Sequence, residues 1–138
     1  VSEASVSVDG EVVGQIGPGL CVLVGVCAGD GEASADRLAT KIWHVRLFPG
    51  QSGNMDRSAS QLGLGVLVVS QFTLCADTSR GRRPSFANAA PPVQAKPLVE
   101  RLASALKAMG ATVATGRFGA TMQLHLVNEG PVTVLLEA

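Results

Sequence analysis

Ser70-Gln71-Phe72-Thr73 places two hydroxyls, an amide and a run of backbone donors directly after the apolar stretch Gly65 to Val69. A strand that ends there would carry these groups to the edge of a sheet, where ligands are met in mixed α/β folds. The chemistry on offer is hydrogen bonding through hydroxyl, amide and backbone N–H groups. Nucleophilic attack by Thr73 is less well supplied, because a threonine hydroxyl normally needs a base and none lies nearby in sequence. By residue type alone the segment is either a plain polar strand end or a binding site.

A second candidate closes the chain. In "NEGPVT" Gly130-Pro131 precedes an apolar stretch, so Pro131 gives up a ladder hydrogen bond. A hairpin would more often turn on Asn-Gly or Asp-Gly. Pro131 is either the permitted first residue of an edge strand or part of a recognition device. Between the two candidates lies "SRGRRPSF", with Arg80, Arg82 and Arg83 inside four residues. These are either a solvated loop or local contacts to phosphate. His44 falls in a helical stretch and His125 in a strand, both expected at the surface or in packing. No dinucleotide or P-loop glycine pattern, HExxH, GxSxG or paired Cys/His spacing occurs, so neither metal nor cofactor is expected.

The elements that must position these residues are legible in outline. "SVSVDGEVV" alternates about Asp9-Gly10 and predicts a hairpin. "LCVLVGV" reads as a strand buried on both faces. Ala35, Leu38, Ile42 and Val45 repeat at helical spacing over residues 32–45, with acids at the start and bases at the end. "PGQSGNMDRSASQLG" reads as a polar loop or ragged hairpin, and "GVLVVSQFTL" as a second buried strand. The long Pro-, Gly- and Arg-rich loop after it has the length of a functional loop. Leu98, Leu102, Leu106 and Met109 predict a helix from Pro92 to Met109, stopped by Gly110. Strands near 112–115, 120–127 and 132–137 finish the chain. The expectation is one α/β domain over residues 1–138, with mixed β-sheet layers and two helices packed on one side.

Composition bounds the function. The chain has 138 residues, 46% of them apolar and 16% charged, which is a single globular domain. Eleven basic residues balance eleven acidic ones, so a general nucleic-acid coater is excluded. The longest apolar run, Leu20 to Ala28, is nine residues, well short of the roughly 20 a spanning helix needs. No membrane partner and no secretory signal are expected. Cys21, Cys27 and Cys75 are odd in number and show no CxxC spacing. They read as buried thiols in a reducing compartment, the cytoplasm.

"SQFTL", "GRRPSF", "GRFGATMQ" and "NEGPVT" occur in one order along essentially the whole chain, after the opening "SVDGEVVGQIGPG". That combination resembles the D-aminoacyl-tRNA deacylases of the widespread type. Ser70 and the valine of "GPVT" fit this branch better than its animal relative, which carries P-Q-A-T and G-P-F-T. The resemblance implies an editing hydrolase that cleaves the ester joining a D-amino acid, or glycine, to the 3′-terminal adenosine of tRNA. It implies a homodimer in which a cis Gly130-Pro131 bond of one subunit enters the partner's site and rejects L-amino acids. Ser70, Gln71, Phe72 and Thr73 would form the catalytic set. Either the substrate's own 2′-hydroxyl, positioned by Gln71, activates water, or Thr73 attacks directly. Phe86 and Met122 would line the pocket for the terminal adenine, and Arg80, Arg82 and Arg83 would touch the tRNA backbone. Aminoacyl-tRNA is the expected partner, and DNA is not. Family chains usually begin with a further short strand bearing a basic residue, so the first N-terminal strand is expected to be missing here. The alternative is a non-catalytic module of the same fold that binds nucleic acid or a small amino compound.

Overall fold

The computed structural model describes residues 1–138. Strands β1 (Glu3–Val8) and β2 (Glu11–Ile16) pair antiparallel. Asp9 and Gly10 turn between them with φ of 51° and 80°, the left-handed pair that matches the twist of a hairpin. Then come β3 (Gly19–Val24), α1 (Glu32–His44), β4 (Arg46–Pro49), β5 (Met55–Ser58), the short α2 (Ala59–Leu62) and β6 (Gly65–Ser70). A 3-10 turn over Phe72–Cys75, α3 (Pro92–Ala108), β7 (Thr112–Thr115) and β8 (Gln123–Val127) complete the order.

The strands form two three-stranded sheets and one small hairpin. The order β2-β1-β8 is antiparallel throughout, and β3-β6-β7 is parallel throughout. Each parallel step is bridged by a crossover, through α1 from β3 to β6 and through α3 from β6 to β7. Both steps add strands in one direction. Right-handed crossovers therefore place both helices on the same face. The other face of the parallel sheet takes the antiparallel sheet.

Strand β6 is the middle of this three-layer stack. Its side chains alternate with period two. Val66 and Val68 join Ile42, Trp43, Leu102 and Leu106 under the helices. Leu67 and Val69 join Ala4, Val6 and Ile16 between the sheets. A run buried on both faces follows directly, as its unbroken apolar sequence predicts. The same expectation for β3 does not hold. β3 is an edge strand, and Leu23 is 42% exposed. An apolar run is common to centre and edge, and only the pairing distinguishes them.

Helix ends follow local rules. Pro92 opens α3 at a position where its missing N–H costs nothing. At the far end the Gly110 N–H donates to the Lys107 carbonyl and the Ala111 N–H to the Leu106 carbonyl, both at 3.0 Å. Gly110 has φ of 103°. That is a Schellman stop, with Ala111 buried beside Leu106. The "ragged hairpin" is β4–β5, and α2 was not expected. Ser58 and Gln61 form its capping box, each accepting the other's N–H. The expected strand over 132–137 does not form. Residues 128–138 pair with no edge of this chain and run past α1, where Lys41 Nζ donates to the Glu137 carbonyl at 2.8 Å. An extended apolar segment becomes a strand only where an edge receives it. The strand expected from Ala120 starts at Gln123, because Arg117 to Ala120 form a turn. No helix is long and apolar enough to cross a membrane.

One ion-pair group ties the helices together at the surface. Arg101 on α3 donates twice to Asp36 on α1, at 2.9 Å each, and lies 3.2 Å from Glu32. Hydrogen bonding from Arg101 holds the Asp36 carboxyl below its ordinary 3.8. A lowered folded-state pKa contributes stability that is complete above the unfolded value and is lost as pH falls through the folded one. The stability difference between the parent and Arg101→Gln is therefore expected to shrink as urea titrations are taken below about pH 4; a constant difference across that range would contradict the pairing. Truncating a fully buried side chain acts more strongly. Leu102→Ala should cost about 2–5 kcal/mol in the same titrations, while Val93→Ala, at a position 80% exposed, should stay within about 0.5 kcal/mol.

Candidate functional site

The parallel register sets Ser70 opposite Val24 at the last rung of β3 and β6. The chain then leaves the sheet. Gln71 takes φ of −146° and ψ of 80°, and its N–H donates to the Val24 carbonyl at 2.7 Å. The 3-10 turn follows at once. Leu74 N–H reaches the Gln71 carbonyl at 3.2 Å, and Ala76 N–H reaches that of Thr73 at 3.1 Å. The Phe72 and Thr73 N–H groups donate to no carbonyl outside the turn, and the first donors of a helical turn have no acceptor within it. Two adjacent backbone donors are thus left beside an exposed surface. Gln71 Nε2 donates to Thr73 Oγ1, which leaves the Gln71 side-chain oxygen Oε1 and the Thr73 hydroxyl proton for other partners.

Gly25 is what lets this turn lie so close to the sheet. A Cβ there would meet the Gln71 carbonyl oxygen at 2.9 Å and Leu74 Cβ at 3.0 Å. Sequence reading did not single out Gly25, because the close approach depends on a strand 45 residues further on having the register it has.

The Arg-rich loop is closed, not open. Asp77 and Ser85 exchange both backbone hydrogen bonds at 2.8 Å, and Ser79 N–H donates to Asp77 Oδ1 at 2.9 Å. Hydrogen bonding from Ser79, through its side chain and its N–H, holds the Asp77 carboxyl below the usual carboxylate range. Arg80, Arg82 and Arg83 stand at the exposed tip and take part in none of the ion pairs of the chain. On its return the loop sets the Phe86 ring against Phe72, with centroids 5.2 Å apart and planes at 68°. Phe72 is 56% and Phe86 41% exposed, so the edge-to-face pair presents an aromatic surface to solvent beside the free donors.

Cys27 and Cys75 are not the free thiols expected. They form a disulfide, and only Cys21 remains free. The reason is topological. Each follows the end of one of two adjacent parallel strands, β3 and β6, which brings their Cα atoms to 5.7 Å. Spacing along the chain carried no signal of it. Burial pushes the Cys21 thiol above its ordinary value.

Met122 is half-buried against the cluster of Leu67 and Val69, near the end of β6 that bears Ser70. Gly130-Pro131 lies elsewhere. Its peptide bond is cis, and Asn128 spans the loop by accepting from Val132 N–H at 3.2 Å and donating to Thr133 Oγ1 at 2.9 Å. This loop follows Val127, which pairs with Glu3. Ala4 pairs with Ile16, and Ile16 sits beside Gly65 at the start of β6. Within one chain, then, Ser70 to Thr73 occupy one end of the β6 axis and Gly130-Pro131 the other. At ~3.3 Å per residue the strand alone separates them by about 16 Å.

The chain is similar to known proteins along its whole length. A family model described as D-Tyr-tRNA(Tyr) deacylase matches residues 1–137. A protein of Ruegeria pomeroyi named D-aminoacyl-tRNA deacylase is 56% identical over 99% of this chain and 94% of its own length. One of the same name from Roseiflexus castenholzii is 56% identical over 100% of this chain and 88% of its own. Among solved structures, one titled c-Myc DNA Unwinding Element Binding Protein superposes with a TM-score of 0.94 at 36% identity, covering 100% of this chain and 94% of the other. A second, titled as a probable eukaryotic D-amino acid tRNA deacylase, gives a TM-score of 0.76 at 12% identity over 93% and 90% of the two chains, a likeness of fold.

The aromatic contact is testable on its own. A double-mutant cycle with Phe72→Leu and Phe86→Leu is expected to yield a coupling of about 0.5–1.5 kcal/mol in unfolding free energy. Additive effects would mean the rings do not pack as described.

Proposed function

The chain belongs to the D-aminoacyl-tRNA deacylase family and acts on aminoacyl-tRNA, and from that premise we propose that it clears both D-amino acids and glycine from tRNA in the cytoplasm, with the Gly130-Pro131 loop of a second copy turning L-amino acids away. The observation that carries this reading is the placement of the two motifs at opposite ends of β6. No single chain brings them to one substrate. A second copy, set so that each loop meets the other's turn, completes two equal sites.

The filter works by exclusion. Backbone carbonyls of Gly130 and its neighbours are acceptors for a protonated α-amine, through charge-assisted hydrogen bonds. Once amine and ester are both held, one direction remains for the side chain. A D-residue points it to solvent, whereas an L-residue drives Cβ into backbone. Side-chain identity then matters little, and glycine passes.

In the reaction, the free Phe72 and Thr73 N–H groups receive the charge that develops on the ester oxygen. One such donor is worth about 3–4 kcal/mol of barrier. The Gln71 side-chain oxygen, Oε1, accepts from the 2′-hydroxyl of the terminal ribose, and that hydroxyl helps activate water. Thr73 already accepts from Gln71 and has no base to take its proton, which argues for a positioning part over a nucleophilic one. The exposed Phe72–Phe86 surface suits stacking of the terminal adenine, and Met122, packed on the cluster of Leu67 and Val69, would line the same pocket. Ser70 ends the strand that aims the turn. The exposed arginines 80, 82 and 83 suit the phosphate backbone, a contact that needs no net positive charge on the protein.

Matched D-aminoacyl-, L-aminoacyl- and glycyl-tRNA, incubated without added metal, test the reading. Loss of the D and glycyl esters with the L ester spared is expected. Survival of all three would place the chain among non-catalytic binding modules instead. A substrate ending in 2′-deoxyadenosine should react at least about 100-fold more slowly, while Thr73→Val keeps activity within about tenfold. The reverse pattern would make Thr73 the nucleophile.

A further inference from the structure

We propose that Cys27 and Cys75 are a reversible thiol–disulfide site that clamps the catalytic turn, so that the thiol balance of the surroundings sets the activity of the enzyme. The bond joins positions 48 residues apart in sequence. Cys75 is the last residue of the turn that carries Phe72 and Thr73. Cys27 forms an isolated bridge with Ala89, and Ala28 N–H donates to the Asn88 carbonyl at 2.7 Å. Asn88 and Ala89 belong to the segment that returns from Phe86. One covalent bond therefore holds the donor turn and the aromatic surface in a fixed relation. Without it the turn is anchored to β3 by the Gln71 N–H to Val24 and by packing, and to the returning loop by the Asp77–Ser85 pair beyond its end.

Aminoacyl-tRNA occurs where translation does, in a compartment that keeps thiols reduced. A disulfide there is usually transient and redox-sensing. This step rests on the functional reading above. The burial pattern suits exchange: Cys27 is partly exposed and offers an entry, whereas Cys75 is 7% exposed. Cys21, half-buried in β3 with its thiol pushed up by burial, stays out of the exchange. The oxidant is a small disulfide of the glutathione type. A Cys27 thiolate attacks one of its sulfurs and expels the first glutathione thiolate. Cys75, as thiolate, then attacks the mixed disulfide and expels the second. The protein gives up two electrons and two protons; the glutathione disulfide accepts the electrons as its S–S bond breaks, and the two leaving thiolates take the protons, giving two molecules of glutathione.

The test equilibrates the full chain in reduced and oxidised glutathione at graded ratios. Alkylation and mass measurement count free thiols. One free thiol is expected in the oxidised form and three in the reduced form, with Cys27 and Cys75 changing together. Hydrogen exchange at the Leu74 and Ala76 amides should accelerate at least about tenfold on reduction. The kcat/KM for the D-ester should fall about three- to tenfold. Cys27→Ser/Cys75→Ser should match the reduced form at every ratio, and Cys21→Ser should keep the full response. Three free thiols throughout would overturn the proposal. So would a bond that forms without changing exchange in the turn. Thiol counts and exchange need no substrate, so they decide this point even if no ester is hydrolysed.

Discussion

Strand β6 has to satisfy two cores at once. Val66 and Val68 close the helical core while Leu67 and Val69 close the core between the sheets. Period two leaves no freedom in this arrangement. A slip of one residue would exchange the two sets and put each against the wrong layer. Strand β6 is therefore pinned in register against both β3 and β7, and everything attached to its end inherits that precision. The turn that bears Gln71, Phe72 and Thr73 begins at the last rung of the ladder. A site held by so short a connection to a doubly buried strand is placed by the core and not by a loop.

The same constraint explains how the neighbours reach the turn. Gly25 and Cys27 follow the end of β3, the strand paired to β6, and so arrive beside it. Phe86 is brought in from farther away, by a loop that closes on itself through Asp77 and Ser85. An edge-to-face ring contact then joins that loop to the turn at the end of β6. The arginines stay outside this closure, at the exposed tip.

What could be read in the sequence was what depends on neighbours along the chain. The Asp9-Gly10 hairpin, the periodic stretches of α1 and α3, the Gly110 stop and the unbroken apolar run of β6 all obey local rules, and all were legible. The Ser58/Gln61 capping box obeys one too, yet it was hidden in a polar stretch that reads as loop. Features that need a distant partner escaped. Leu23 is exposed because β3 has a neighbour on one side only. Residues 132–137 have the composition of a strand and no edge to join. The Cys27–Cys75 bond depends on which strands lie side by side, which spacing in sequence does not encode. At the site, the residue types of Ser70 to Thr73 left both a plain strand end and a binding site open, and only the order of four motifs favoured the second. The two free donors and the Phe72–Phe86 contact became visible only with the backbone in place.

The separation of Gly130-Pro131 from the Gln71–Thr73 turn has a genetic meaning. On the two-copy reading, each site borrows its discriminating half from one polypeptide and its reacting half from another. Lesions in the two halves then behave as different complementation groups within a single gene. A cell carrying one allele damaged at each end assembles some mixed pairs, and in each of these one site has inherited both lesions and the other neither. Two inactive alleles together would restore a fraction of the editing that neither supports alone.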